Sequence, residues 1–61
     1  MFVPDDLQAA LAHQPAAQES FDSLTEHLQY LHVRFVSEVV EPAVRQTRIQ
    51  EVIELLKNTD N

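Results

Sequence analysis

The sequence predicts an all-α fold, a compact bundle of two short N-terminal and two longer C-terminal helices. Apolar residues recur at i, i+3 and i+4 spacing along most of the chain, which is typical of amphipathic helices. Each of the three prolines comes at the start of such a segment, where proline suits the first helical turn. The chain has no glycine, which disfavours tight hairpins and β architectures.

The first two helices are predicted to be short and to begin at Pro4 and Pro15. A proline at the first helical position loses no hydrogen bond. Asp5 and Asp6 follow Pro4 and suit the positive end of a helix dipole. The predicted apolar positions of these two helices are Leu7, Ala10, Leu11, Ala17, Phe21 and Leu24.

The third helix is predicted to begin after Thr25, a good N-cap, and to end at Glu41, because Pro42 disfavours helical backbone there. Its main stripe, expected to face the core, consists of Leu28, Leu31, Phe35 and Val39, with His32 on the same side. Val33, Val36 and Val40 form a second set on the adjoining flank. A strand over residues 31–40 is the alternative, but the apolar spacing fits a period of 3.6 better than a period of 2.

The fourth helix is predicted to begin at Pro42 and to carry Lys57 in its last turn, where a cation suits the dipole. Asn58 is expected to close it in the left-handed conformation. Its apolar face consists of Ile49, Val52, Ile53 and Leu56, with Val44 and Leu55 off this stripe. We expect one domain over residues 1–61, with an ordered core at 3–57 and a fraying tail at 58–61.

The predicted core joins the apolar faces of the four helices. A chain of 61 residues has a small core that supplies no more than about 3–5 kcal/mol. Truncating a buried aromatic anchor such as Phe21 is therefore expected to exhaust its stability. The predicted core residues are Leu7, Leu11, Phe21, Leu24, Leu28, Leu31, Phe35, Val39, Ile49, Val52, Ile53 and Leu56.

Composition narrows the function classes. Ten acidic residues face four basic ones, for a formal charge of −6, which repels nucleic acid and anionic membranes. No cysteine is present, so disulfides and thiolate metal sites are excluded. We expect a cytoplasmic protein without membrane insertion, because the sequence has neither a signal peptide pattern nor an apolar run of transmembrane length.

The search for chemical motifs predicts no catalytic residue, no metal site and no cofactor. His27 and His32 are five residues apart and do not share one helical face. His32 on an apolar stripe is better explained as a core or boundary residue. The serines lie outside any nucleophile-elbow pattern, and a chain without glycine has no phosphate-binding loop. We therefore expect no enzyme and no small-molecule substrate.

Four segments of the chain follow one another in a recognisable order: Pro4–Leu11; a unit of Pro15, Ala16 or Ala17, and Phe21; the pair Phe35-Val36; and Pro42–Ile49 with its two arginines. Together, over roughly residues 3–56, they resemble the bacteriocin-protection, YdeI/OmpD-associated family. The sequence departs from the family pattern at four places. Phe35 stands where tryptophan is common, and Val40 stands where the pattern has a lysine. Ala43-Val44 replaces a Glu-Thr pair, and Asn58 replaces the closing glycine. The resemblance implies a small C-terminal helical domain, a role in tolerance of bacteriocins or antimicrobial peptides, and a link to an outer-membrane porin.

Arg45 and Arg48 have two interpretations. In the first, they are structural: Arg45 pairs with Glu41 at i, i+4 spacing, and Arg48 pairs with Glu51 or with an acid on a neighbouring helix. In the second, they form a small cationic spot that docks a carboxylate or phosphate. The structural interpretation is favoured, because cations are few and acidic residues flank them.

The valine flank is predicted to be an interaction surface. Val33, Val36 and Val40 lie at i, i+3 and i+7, with Tyr30 at the edge and Val44 or Leu55 nearby. Contiguous exposed apolar patches mark interfaces, and a second subunit stabilises a small chain. We therefore predict a non-enzymatic protein-interaction module that binds a protein partner or forms a homodimer. The alternative is a weak anion or nucleic-acid binder that uses Arg45 and Arg48.

Overall fold

The structure, a computed structural model, describes residues 2–58 and contains four α-helices. They are α1 (Asp5–Ala12), α2 (Pro15–Ser23), α3 (Glu26–Ser37) and α4 (Pro42–Lys57). No strand occurs over this range. The all-α prediction is confirmed, with two short helices followed by two longer ones.

The helix starts follow the local signals in the sequence. Pro15 and Pro42 occupy the first position of α2 and α4. The hydroxyl of Thr25 accepts a hydrogen bond from the Leu28 N–H at 3.3 Å, so the predicted N-cap of α3 is confirmed. Pro4 is the N-cap of α1 with ψ of 147°. Pro4 was predicted at the first helical position, but its backbone is still extended, so the helix begins one residue later, at Asp5.

The helix ends differ from the prediction at two places. Helix α3 ends at Ser37, with Glu38 as its C-cap, and does not continue to Glu41. The last turn of a helix leaves carbonyl groups without intrahelical partners. In α3, the carbonyls of Phe35 and Val36 accept hydrogen bonds from the side chains of Arg48 and Arg45 of α4. Asn58 closes α4 with φ of −96°, and no described residue has a positive φ, so the predicted left-handed cap is wrong. Residues 59–61 of the predicted tail lie outside the described residues.

Helix α4 is the centre of the packing, because α1, α2 and α3 all contact it. The Cα radius of gyration is 10.6 Å. Helix α3 is also linked to α2 by a hydrogen bond from Gln29 Nε2 to the Phe21 carbonyl oxygen at 2.8 Å. The buried core consists of Leu7, Leu11, Ala17, Phe21, Val33, Val36, Ile49, Val52, Ile53 and Leu56, with Val3, Ala10, Leu24 and Phe35 partly buried against it.

The predicted core face of α3 is wrong for its two leucines, whereas Phe35 packs partly buried against the core and Val39 is half-buried. Leu28 and Leu31 are 43% and 45% exposed, whereas Val33 and Val36 are buried. Gln29, Val33 and Val36 share one side of the helix at i, i+4 and i+7. The hydrogen bond of Gln29 to the end of α2 holds that side inward, and the leucine side consequently turns toward solvent.

No helix within residues 2–58 is long and apolar enough to cross a membrane.

Candidate functional site

The two arginines of the predicted cationic spot lie in the first half of α4 and point to neighbouring elements. Arg45 binds Asp6 of α1 through two parallel hydrogen bonds: Nε to Oδ2 and Nη2 to Oδ1, each 2.9 Å long. This is the fork geometry in which a guanidinium matches a carboxylate best. The pair joins residues that are 39 positions apart in the sequence and fastens α1 to α4.

Arg45 also binds the chain where α3 ends. Its Nη1 donates to the carbonyl oxygen of Val36 at 3.1 Å and to that of Val39 at 2.9 Å. The Val36 carbonyl belongs to the last turn of α3, where intrahelical partners are missing, and the negative end of the helix dipole favours a cation there. All three guanidinium nitrogens of Arg45 are therefore donors to groups of the same chain.

Arg48 binds the same end of α3 one turn further along α4. Its Nη1 donates to the Phe35 carbonyl oxygen at 3.0 Å and to Glu38 Oε2 at 2.8 Å. Its guanidinium carbon lies 4.6 Å from the centre of the Phe35 ring, within the range of a cation–π contact. Arg45 and Arg48 together hold the C-terminal end of α3 against α4.

The electrostatic consequence is clearest at Asp6. The hydrogen bonds from Arg45 lower the pKa of the Asp6 carboxyl below its usual 3.8. Burial opposes this shift, and the Leu7 backbone N–H and the charge of Arg45 add to it. The pKa of Arg45 is raised in turn, chiefly by the same hydrogen bonds. Both shifts favour the ionised pair, so the contact persists throughout the neutral pH range.

This geometry corrects one prediction and bears on another. The ion pair of Arg45 is with Asp6 and not with Glu41, because the folded chain brings a distant carboxylate into reach. The ion pair of Arg48 is with Glu38 at the end of α3, which agrees with the predicted alternative of an acid on a neighbouring helix and not with Glu51. An external anion would have to displace these internal partners, which weighs against the anion-binding alternative.

The predicted interaction surface formed by Val33, Val36 and Val40 is wrong, because two of its three residues are buried. Val33 and Val36 are part of the buried core, because α3 is rotated so that its valine side faces inward. Val40 is 89% exposed, but it lies beyond the end of α3 in the connection to α4. The i, i+7 relation to Val33 therefore fails, since it requires a continuous helix.

A different apolar surface is exposed, which we call the α3–α4 face and define by the exposed Leu28, Leu31 and Leu55 and the half-buried Phe35. The first three lie at i, i+3 and i+7 along α3, and Leu55 of α4 is 59% exposed. Phe35 and Leu55 line one open groove of about 610 Å³. The rest of its lining is polar or acidic: Thr47, Gln50, Glu51, Glu54 and Asn58.

Periodicity predicts three residues of this face, Leu28, Leu31 and Phe35, to be core residues, and of these Phe35 packs partly buried against the core. Leu55 alone was recognised as lying off the apolar stripe of its helix. The signal that distinguishes the two sides of α3 is Gln29, whose amide needs a partner in the interior. Its position on the valine side is visible in the sequence, but its partner, the Phe21 carbonyl, is not.

A second open groove, of about 470 Å³, lies between α1 and the start of α4. It contains the Asp6–Arg45 pair, and the exposed Val40 stands at its edge. Its remaining lining is Ala10, Pro42, Gln46, Ile49 and Gln50. The charged groups of this groove already bind each other, so their charges are largely balanced.

The histidines are not brought together. His13 and His27 are exposed and His32 is half-buried, and burial lowers the pKa of His32 below its usual 6.5. Within residues 2–58, no group of three or more His, Cys, Asp or Glu side chains is arranged to hold a metal ion.

Comparison with known proteins identifies a family. The family model described as "Bacteriocin-protection, YdeI or OmpD-Associated" matches residues 1–59, which is nearly the whole chain. No curated protein and no solved structure matches it.

Proposed function

We propose that this chain, which belongs to the bacteriocin-protection, YdeI/OmpD-associated family, is a non-enzymatic module that binds a protein partner through the α3–α4 face. The observation that carries the proposal is the exposure of large apolar side chains on this face. Leu28, Leu31 and Leu55 are each more than two-fifths exposed, although the chain buries ten other apolar residues in its core. Apolar surface of this kind is characteristic of interaction sites.

The contacts of the charged residues support a non-enzymatic role. Asp6 and Arg45 hold α1 to α4, and Glu38 and Arg48 hold the end of α3. These side chains fasten helices together, and their two ion pairs are the shortest within residues 2–58. A binding role needs only the shape and polarity of a surface, which the α3–α4 face supplies.

We further propose that the partner is a different protein rather than a second copy. Two copies would each carry a formal charge of −6, and Glu51 and Glu54 line the groove beside the apolar residues. A symmetric contact would bring these like charges together. Sedimentation equilibrium tests this point: we expect a monomer, and a tight dimer would contradict it.

The family description links these proteins to bacteriocin protection. We propose that this chain contributes to such protection by binding a protein and not by modifying a toxin chemically. A cytoplasmic location stays a prediction from the sequence.

The experiment is a comparison of partner capture by the parent and by variants of equal charge. Leu31→Gln and Leu55→Gln remove apolar surface from the α3–α4 face, whereas Val40→Gln makes the same kind of change in the other groove. Each protein is immobilised, exposed to an extract of cells that express it, and the retained proteins are identified by mass spectrometry. Circular dichroism melting curves verify that each variant folds.

We expect a specific partner that the parent and Val40→Gln retain and that the two leucine variants lose. Loss of the partner with Val40→Gln alone would contradict the assignment of the surface. Equal retention by all four proteins would do the same.

A further inference from the structure

We propose that the occupant of the α3–α4 face is a basic amphipathic helix of another protein. This inference rests on the proposed function and adds the chemistry of the partner. Two independent features of the face lead to it, the arrangement of its apolar side chains and the sign of the charge beside them.

The apolar side chains are arranged for a helix. Leu28, Leu31 and Phe35 follow one side of α3 over seven positions, about 10 Å at 1.5 Å per residue. Leu55 stands across from Phe35 on α4, and these two side chains line the same groove. Leu28 and Leu31 are not part of the groove lining and extend the apolar surface from Phe35 along α3. An amphipathic helix binds such a groove by laying its apolar face along it, with anchors at i, i+3, i+4 and i+7.

The charged side chains that line the groove are negative, and the nearby Arg48, which lies over the Phe35 ring, is paired with Glu38. Glu51 and Glu54 line the groove together with Phe35 and Leu55. Lys57 lies 3.7 Å from Glu54, but its side chain is 40% exposed and the contact is long, so it is a weak one. Glu51 forms no ion pair within the described part of the chain. The groove therefore offers uncompensated negative charge next to apolar surface.

The net charge of the chain is also negative, −6. Three of its four cations form internal ion pairs, Arg45 with Asp6, Arg48 with Glu38 and Lys57 with Glu54. The fourth, Arg34, is an exposed side chain in the last turn of α3, and a single cation does not balance the remaining acidic residues. Most of the ten acidic residues lie outside these pairs. The long-range field is therefore that of an acidic protein, which attracts a cationic partner and repels an acidic one.

The test uses three dye-labelled synthetic peptides of about 18 residues, long enough for a helix. The first has leucines at helical spacing with lysines on the opposite side. The second keeps the leucines and replaces every lysine by glutamate. The third has the composition of the first in an order without amphipathic spacing. Binding to the parent chain is measured by fluorescence anisotropy at low and high salt.

We expect the leucine–lysine peptide to bind on the order of tenfold more tightly than either other peptide, with weaker binding at high salt. Glu51→Gln and Glu54→Gln should each weaken its binding about twofold to fivefold. Glu19→Gln, which neutralises an exposed acid on α2, is the matched control for charge and should change little.

The apolar contribution is tested with the equal-charge variants. Leu31→Gln and Leu55→Gln should weaken binding of the leucine–lysine peptide, and Val40→Gln should not. The inference is overturned if the leucine–glutamate peptide, or the peptide without amphipathic spacing, binds as tightly as the leucine–lysine peptide. It is also overturned if neither leucine variant weakens binding of the leucine–lysine peptide, or if Glu19→Gln weakens that binding as much as Glu51→Gln does.

The two proposals fail differently. If the leucine–lysine peptide does not bind while the leucine variants still lose the natural partner, the chemistry of the occupant is wrong and the binding function stands. If the leucine variants retain the natural partner, the α3–α4 face is not the binding surface and both proposals fail.

Discussion

The orientation of α3 can be tested by truncating the same residue type at two sites. Leu11 is buried in the core and Leu31 is 45% exposed, although periodicity predicts both to be core residues. Leu11→Ala should destabilise the fold by about 2–5 kcal/mol, the usual cost of removing a buried leucine. Since complete burial of a leucine contributes about 1.5–3 kcal/mol and Leu31 is about half buried, Leu31→Ala should cost only about 0.8–1.6 kcal/mol.

The difference is large relative to the stability of the chain. A domain of this size is stabilised by roughly 3–5 kcal/mol, so Leu11→Ala should leave a largely unfolded protein at room temperature and Leu31→Ala a folded one. Urea denaturation followed by circular dichroism measures both. Equal destabilisation by the two substitutions would show that the leucine side of α3 faces the core, and the α3–α4 face would not exist.

Two further predictions follow from the charged contacts. Arg45→Lys should lower the melting temperature more than Lys57→Ala, because lysine cannot form the fork to Asp6 or reach both carbonyls at the end of α3; equal melting temperatures would contradict the structural role of Arg45. Acid should destabilise the fold in two stages. The pKa of His32 is depressed in the folded state, so the unfolded chain binds the proton first and stability falls as pH drops below about 6.5. The pKa of Asp6 is also depressed, so its contribution is present above pH 3.8 and is lost as pH falls through the folded-state pKa. His32→Gln should remove the first stage in a urea titration at several pH values and the exposed-site control His13→Gln should not; a first stage that survives His32→Gln would contradict this assignment.

The helices and most of the core could be predicted because their signals are local. Prolines mark the starts of α2 and α4, and a threonine hydroxyl caps α3. The inward side of α4 was predicted correctly because that helix has one dominant apolar stripe, formed by Ile49, Val52, Ile53 and Leu56. A single stripe leaves only one way to rotate the helix onto the core.

The side of α3 that faces the core could not be predicted, because that helix carries two apolar sides. Leucines and a phenylalanine form one, and valines form the other. Hydrophobicity alone favours the larger side chains, but the Gln29 contact with α2 and the arginine contacts at the helix end hold the valines inward. These are tertiary contacts, and no local spacing reveals them.

The candidate site was predicted in part for the same reason. Arg45 and Arg48 were correctly placed on the first turns of the last helix and interpreted as structural. The partners of Arg45 were missed, because Asp6 lies at the other end of the chain and the carbonyls are backbone groups. The α3–α4 face was missed because its three α3 residues, Leu28, Leu31 and Phe35, were predicted to belong to the core.

The central claim is that the chain binds a partner through the α3–α4 face. The most direct measurement is a titration of the ¹⁵N-labelled chain with the leucine–lysine peptide, followed by amide chemical shifts. The account predicts that the largest shifts fall on Leu28, Leu31, Phe35 and Leu55 and on the neighbouring Glu51. Largest shifts around Ala10, Val40 and Gln46, in the groove between α1 and α4, would contradict it.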